Sequence, residues 1–224
     1  MDDPFLMRRE SAAELFLIRH ADAIPEADEI IPSGVYDNLP LSRVGREQAL
    51  ALAERLKLLS FNAAYSSPLQ RCQETAAPLL EHLRLPLGIV PEIKEVRLGN
   101  PFPLPTDASN LEELTRALQA RQIEIVRLAG ETGYWDAIPN SEASHEFRQR
   151  VVKAIDGIAR QHQSERVLIF SHGGVINAYL AETLGLTRDF FFPAANTSIN
   201  VVRVSNQKRV IYVVNDLAHL PRRF

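Results

Sequence analysis

The sequence predicts an α/β fold of three layers, α/β/α, with a mostly parallel central sheet, an antiparallel C-terminal edge and a helical insert. Three observations carry that expectation. The runs Leu15–Ile18 and Val167–Phe170 are short and apolar on both faces, as buried central strands are. Apolar residues between them recur at helical spacing. Two β-rich runs, Ile199–Val204 and Val210–Val214, close the chain. Alternating strands and helices imply parallel pairing with helices on both faces of the sheet.

Each element has a local reason. Ser42 can cap a helix whose apolar positions are Ala49, Leu52, Ala53 and Leu56. A strand over Phe61–Tyr65 leads to Pro68, a good first-turn residue, and to a helix carrying Leu69, Cys72, Ala76, Leu79, Leu80 and Leu83. Pro78 is expected to kink or split that helix. A short strand follows around Ile89-Val90. Residues 100–105 hold three prolines and are irregular. Ser109–Glu112 resembles a capping box for a helix through about Leu128, and Gly130–Asn140 is a second loop. Residues 100–143 therefore read as a lid or substrate-shaping insert within a single domain, 1–224. The aromatic loop residues Tyr36, Phe102, Tyr134 and Trp135 read as loop packing in preference to pocket walls. The helix expected over Ser144–His162 buries Phe147, Val151, Ile155 and Ile158. The last two runs, joined by residues 205–209, form a hairpin whose exposed edge is where a homodimer would pair.

Composition narrows the function. Twenty-five basic against 28 acidic residues, a net charge of -3 and 46% hydrophobic residues describe an ordinary globular chain, not a disordered or fibrous one. That balance offers no footprint for nucleic acid or an anionic membrane. The single cysteine, Cys72, excludes an intrachain disulfide and a multi-cysteine zinc site. No early apolar run is long enough for a secretory segment or a bilayer span, so a cytoplasmic location is the expectation.

Ligands of such sheets bind beyond the carboxyl ends of the strands. There the chain places Arg19-His20, Ser66–Arg71 and Ser171-His172-Gly173-Gly174, the last followed by a helix from about Val175. Two arginines, two histidines and a glycine-rich helix start suit a doubly charged oxyanion. A histidine in line with phosphorus can also act as nucleophile, and Glu92 and Glu95 are the candidate proton donors. Asn196 and Thr197 are candidate substrate contacts. Neither a metal nor another cofactor is needed, because arginine and histidine supply the charge; the expected partner is a small phosphomonoester.

Leu17-Ile18-Arg19-His20-Ala21 resembles the Arg-His-Gly signature of the histidine phosphatase (phosphoglycerate mutase-like) superfamily. Residues 39–49, the Ser66–Ala76 block, Glu95–Gly99, Ser141-Glu142-Ala143 and Ser171–Ile176 are similar to its further motifs, in order. The resemblance implies that His20 is phosphorylated, that Arg19, Arg71 and His172 bind the phosphoryl group, and that Glu95 is the proton donor; Gly173 is the further phosphate-binding candidate, since a glycine lets backbone approach a ligand closely. Ala21 departs from the signature glycine, Ser141 from another, and Asn177 stands where phosphatases of the group often carry arginine. The mutase branch is expected to show Trp-Asn after the first motif and Glu-Arg-His-Tyr-Gly at the acid; here Ile24-Pro25 and Glu95-Val96-Arg97-Leu98-Gly99 stand instead. The insert also shows no basic excess. A phosphatase is therefore preferred over a mutase, over a protein phosphohistidine phosphatase (for which Asp22 is the hint) and over a non-catalytic binding module.

Overall fold

A computed structural model describes residues 11–25, 38–99, 111–206 and 208–221. Its elements run β1 (Ala13–Arg19), α1 (Arg43–Leu56), β2 (Ala63–Ser66), α2 (Gln70–Leu83), β3 (Leu87–Ile89), α3 (Leu111–Thr132), α4 (Ser144–Gln161), β4 (Arg166–Ser171), α5 (Gly173–Leu184), β5 (Ile199–Ser205) and β6 (Lys208–Asp216). The six strands form one sheet in the order β3-β2-β4-β1-β5-β6. The first four in that order are parallel, and β5 and β6 add the antiparallel edge.

Two-residue alternation along the central strands sorts their side chains onto two cores. Leu15, Leu17, Val167 and Ile169 pack with Phe147, Val151 and Ile155 of α4 and with Tyr179 of α5. Phe16, Ile18, Leu168 and Phe170 pack with Leu52 and Leu56 of α1 and with Cys72 and Leu79 of α2. Helices thus cover both faces, which explains why β1 and β4 carry no polar alternation. Helix α3 adds Leu114 and Leu118 to a small cluster with Leu39, and Ala129 to the α4 side of the core. No helix among the described residues is long and apolar enough to cross a membrane.

Three local expectations need correction. Helix α2 runs unbroken through Pro78. Proline costs roughly 3 kcal/mol in a helix interior, but burial of Ala76, Leu79 and Leu80 around it offsets that at about 1.5–3 kcal/mol per large side chain. Helix α3 extends to Thr132, a turn past Leu128, while Ser109, Asn110, Tyr36 and Phe102 lie outside the described residues. Helix α5 begins at Gly173, so both glycines belong to its first turn and not to a preceding loop.

The ladder continues past the strand ends and gathers the site. The His20 amide donates to Ser171 O at 2.9 Å, Ser67 to Phe170 O at 3.0 Å and Val90 to Ser66 O at 2.9 Å. Residues far apart in sequence meet at one rim for that reason.

Candidate active site

That rim opens into a cleft of about 730 Å³ lined by Arg19, His20, Arg71, Glu95, Gly173, Gly174 and Asn196, with α3 and Trp135 among its walls. His20 is 9% exposed. Its Nδ1 lies 2.7 Å from the carbonyl oxygen of Ala21, an acceptor only, so Nδ1 carries the proton and Nε2 keeps its lone pair. Burial, then the charges of Arg71 and Arg19, hold the imidazole well below its ordinary range and therefore neutral. Ala21 is not among the described residues with positive φ, so alanine replaces glycine there without strain. Its amide donates to Thr75 Oγ1 at 2.9 Å, and that hydroxyl donates to Arg71 O at 2.6 Å, tying the end of β1 to the first turn of α2.

His172 is fully buried and does not line the cleft. Its ring stands edge-on to His20, centroids 5.2 Å apart. Arg71 Nη2 donates to its Nδ1 at 3.3 Å, because a guanidinium cannot accept, and its Nε2 then donates to Ser67 Oγ at 2.8 Å. Burial and the Arg71 charge keep this ring neutral as well. The second histidine of the motif therefore meets Arg71 and Ser67, where a direct phosphate contact was expected. Cys72 packs beside it with its thiol pushed up to about 12 by burial, and so stays protonated.

The Arg19 guanidinium reaches the cleft with Nη1 anchored on Ala194 O at 2.6 Å, while its buried Nε has no hydrogen-bond partner. Glu95 lines the cleft, whereas Glu92 is exposed and outside it. The Glu95 carboxylate accepts from the amides of Val96 at 3.0 Å and Gly174 at 3.2 Å. Burial raises its pKa against the pull of those amides and of Arg71 and Arg19. A carboxyl held partly toward its acid form, next to a neutral imidazole and two fixed cations, can donate a proton to a leaving oxygen. Among the described residues no group of three or more His, Cys, Asp and Glu side chains could hold a metal ion.

Asn196 lines the cleft and donates from Nδ2 to His20 O at 3.0 Å. Thr197 does not line it: fully buried at φ 56°, it donates its hydroxyl to Asn196 O at 2.7 Å and its amide to Arg19 O at 3.1 Å. Asn177 also lies away from the cleft. Its Nδ2 donates to Gly173 O and Phe192 O, and its Oδ1 accepts from the amides of Phe191 and Phe192. Asparagine at this position is thus a clamp on the 190–192 segment. Asp22 accepts from Ser42 Oγ at 2.5 Å and holds the start of α1.

Two contributors were not legible in the sequence. Arg150 of α4 forms a bidentate pair with Glu142 at 2.6 and 2.8 Å and donates to the carbonyls of Glu92, Lys94 and Glu95, fixing the segment that carries the acid. Glu142 of the Ser-Glu-Ala block was the available signal, eight residues before its partner. Trp135, expected as loop packing, is indeed packed edge-on against Phe147 and Phe190, yet it also forms a cleft wall.

Comparison with known proteins places the chain in a family. The metal-independent phosphoserine phosphatase of Arabidopsis thaliana is 31% identical over 212 residues, 92% of this chain and 83% of that one. The adenosylcobalamin/alpha-ribazole phosphatase of Escherichia coli is 29% identical over 177 residues, covering 77% and 79%. Among solved structures, Bacillus stearothermophilus YhfR shares the fold at a TM-score of 0.71 over 93% of this chain and 99% of that one, with 23% identity. The profile of the histidine phosphatase superfamily (branch 1) matches residues 15–217. The chain belongs to the histidine phosphatase superfamily and is a phosphatase of that type.

Proposed function

We propose that the protein is a metal-independent phosphomonoesterase acting on a small phosphorylated metabolite through phosphohistidine at His20. Nε2 of His20 attacks phosphorus; the N–P bond forms as the bond to the leaving oxygen breaks, and Glu95 transfers its proton to that oxygen. Water then attacks the phosphohistidine, Glu95 takes up a proton from it, and phosphate leaves with Nε2 restored. Arg19 and Arg71 hold the phosphoryl oxygens, Gly173 allows their close approach, and Asn196 lines the site beside them. His172 orients Arg71. The insert, through α3, shapes the space around the leaving group.

The observation that carries this reading is the Nδ1 contact of His20 with Ala21 O, which leaves Nε2 unprotonated in a cleft that Arg19 and Arg71 also line. Its test is direct. Enzyme mixed with ³²P-labelled substrate and quenched in alkaline denaturant, where phosphohistidine survives, is expected to carry label on His20. His20→Ala protein of unchanged circular dichroism is expected to carry none and to release no phosphate. Label elsewhere, or turnover by His20→Ala, removes the mechanism. Phosphate release without phosphoglycerate isomerisation separates it from mutase-type transfer.

A further inference from the structure

We infer a second anion subsite in the same cleft, on α3 and the segment after β3, selecting phosphomonoesters whose leaving group is apolar near the phosphate and anionic at its far end. The inference rests on the phosphatase reading above and adds a substrate class to it. The cleft, at about 730 Å³, is far larger than one phosphate and is of the size that encloses a whole small ligand.

The cleft side of α3 consists of Leu118, Arg121, Gln122, Ile125 and Val126. Their spacing of three and four residues is one face of a helix, and Arg121 is its only charge. None of the other charged side chains of α3 lines the cleft; among them Arg116 pairs with Glu112, and Arg127 with Glu124 and Glu131. Arg121 has no ion pair among the described residues, nor does Lys94, which lines the cleft from the segment after β3. The two acids among the described lining residues, Asp22 and Glu95, both exert their charge on Arg19 at the phosphate end of the cleft. The balanced charge of the insert hides this, because Glu112, Glu113, Glu124, Glu131 and Asp136 do not line the cleft. A guanidinium on a mainly apolar wall matches a carboxylate or phosphate in bidentate fashion and binds it more tightly than it would in bulk water. Carboxylate and phosphate share that chemistry.

The experiment compares three aryl phosphates of matched leaving group: 4-(carboxymethyl)phenyl, its uncharged 4-(carbamoylmethyl)phenyl isostere, and 4-(phosphonomethyl)phenyl phosphate. At least one of the two anionic compounds is expected to exceed the amide about tenfold or more in kcat/KM. That ratio is expected to fall toward one in Arg121→Gln and to fall in part in Lys94→Gln. The larger ratio of the two identifies the anion preferred. A wild-type ratio near one overturns the subsite, as does a ratio unaltered in both variants. Hydrolysis of none of the three compounds overturns the phosphatase reading itself, and the subsite with it; hydrolysis of all three at equal efficiency overturns the subsite alone.

Discussion

The amide of Gly174 donates to Glu95 Oε2 at 3.2 Å, so the first turn of α5 holds the acid against the cleft. A Cβ at position 174 collides with Glu95 Oε1 and comes within 3.0 Å of Trp135 Cζ2. Gly174→Ala is therefore expected to displace the carboxyl and lower kcat on alkyl phosphates about a hundredfold. The overpacking itself costs about 1–3 kcal/mol in thermal unfolding. Steady-state kinetics beside a melting curve separate the two effects, and an unchanged kcat would place the acid elsewhere.

The pKa directions at His20 and Glu95 set the pH profile. His20 must be unprotonated, and its pKa lies well below 6.5, so the acid limb of kcat/KM falls well below that value. Glu95 must be protonated, and its pKa is raised by burial, so activity declines as pH climbs through it. Glu95→Gln is expected to abolish that alkaline limb and to slow alkyl phosphates by about 10²–10⁴-fold. The loss is expected to be much smaller for p-nitrophenyl phosphate, whose leaving group needs little protonation. Equal losses on both substrates would exclude proton donation by Glu95.

Asn177 offers a stability test well away from the chemistry. Asn177→Ala leaves the amides of Phe191 and Phe192 without their acceptor, an expected loss of about 2–4 kcal/mol in urea unfolding. Asn177→Arg adds a buried charge and is expected to cost more.

His219 tests the support behind His20. Thr197 Oγ1 spends its proton on Asn196 O, so the ring nitrogen 3.0 Å away, Nε2 of His219, is the donor to it. Asn196 in turn holds His20 O. His219→Leu is expected to lower kcat about tenfold with little change in KM, and His219→Gln, which keeps a donor at that reach, to recover most of it. A leucine variant with wild-type kcat would sever the connection.

Much of the fold was legible because β1 and β4 are apolar on both faces, and only a strand covered twice tolerates that. The rim residues were legible because a parallel sheet gathers whatever follows its strands. Pro78 misled because propensity is local, whereas the burial that offsets it comes from the opposite layer. The place of Thr197 could not be read, because its side chain is aimed by a left-handed backbone that no pattern of residue types reveals. Arg150 escaped notice for a related reason: its partners are backbone carbonyls, and carbonyls leave no trace in residue identity.

The central position of β4 bears on how the protein matures. In the native sheet β1 and β2 never touch, since β4 lies between them and arrives some hundred residues after β2. Until that late strand inserts, β2 and β3 can pair but β1 has no partner, because β5 follows β4 in the chain, and such long-range pairing folds slowly. Regain of catalytic turnover during refolding should therefore lag behind regain of helical circular dichroism, which makes activity a reporter of β4 docking between β1 and β2.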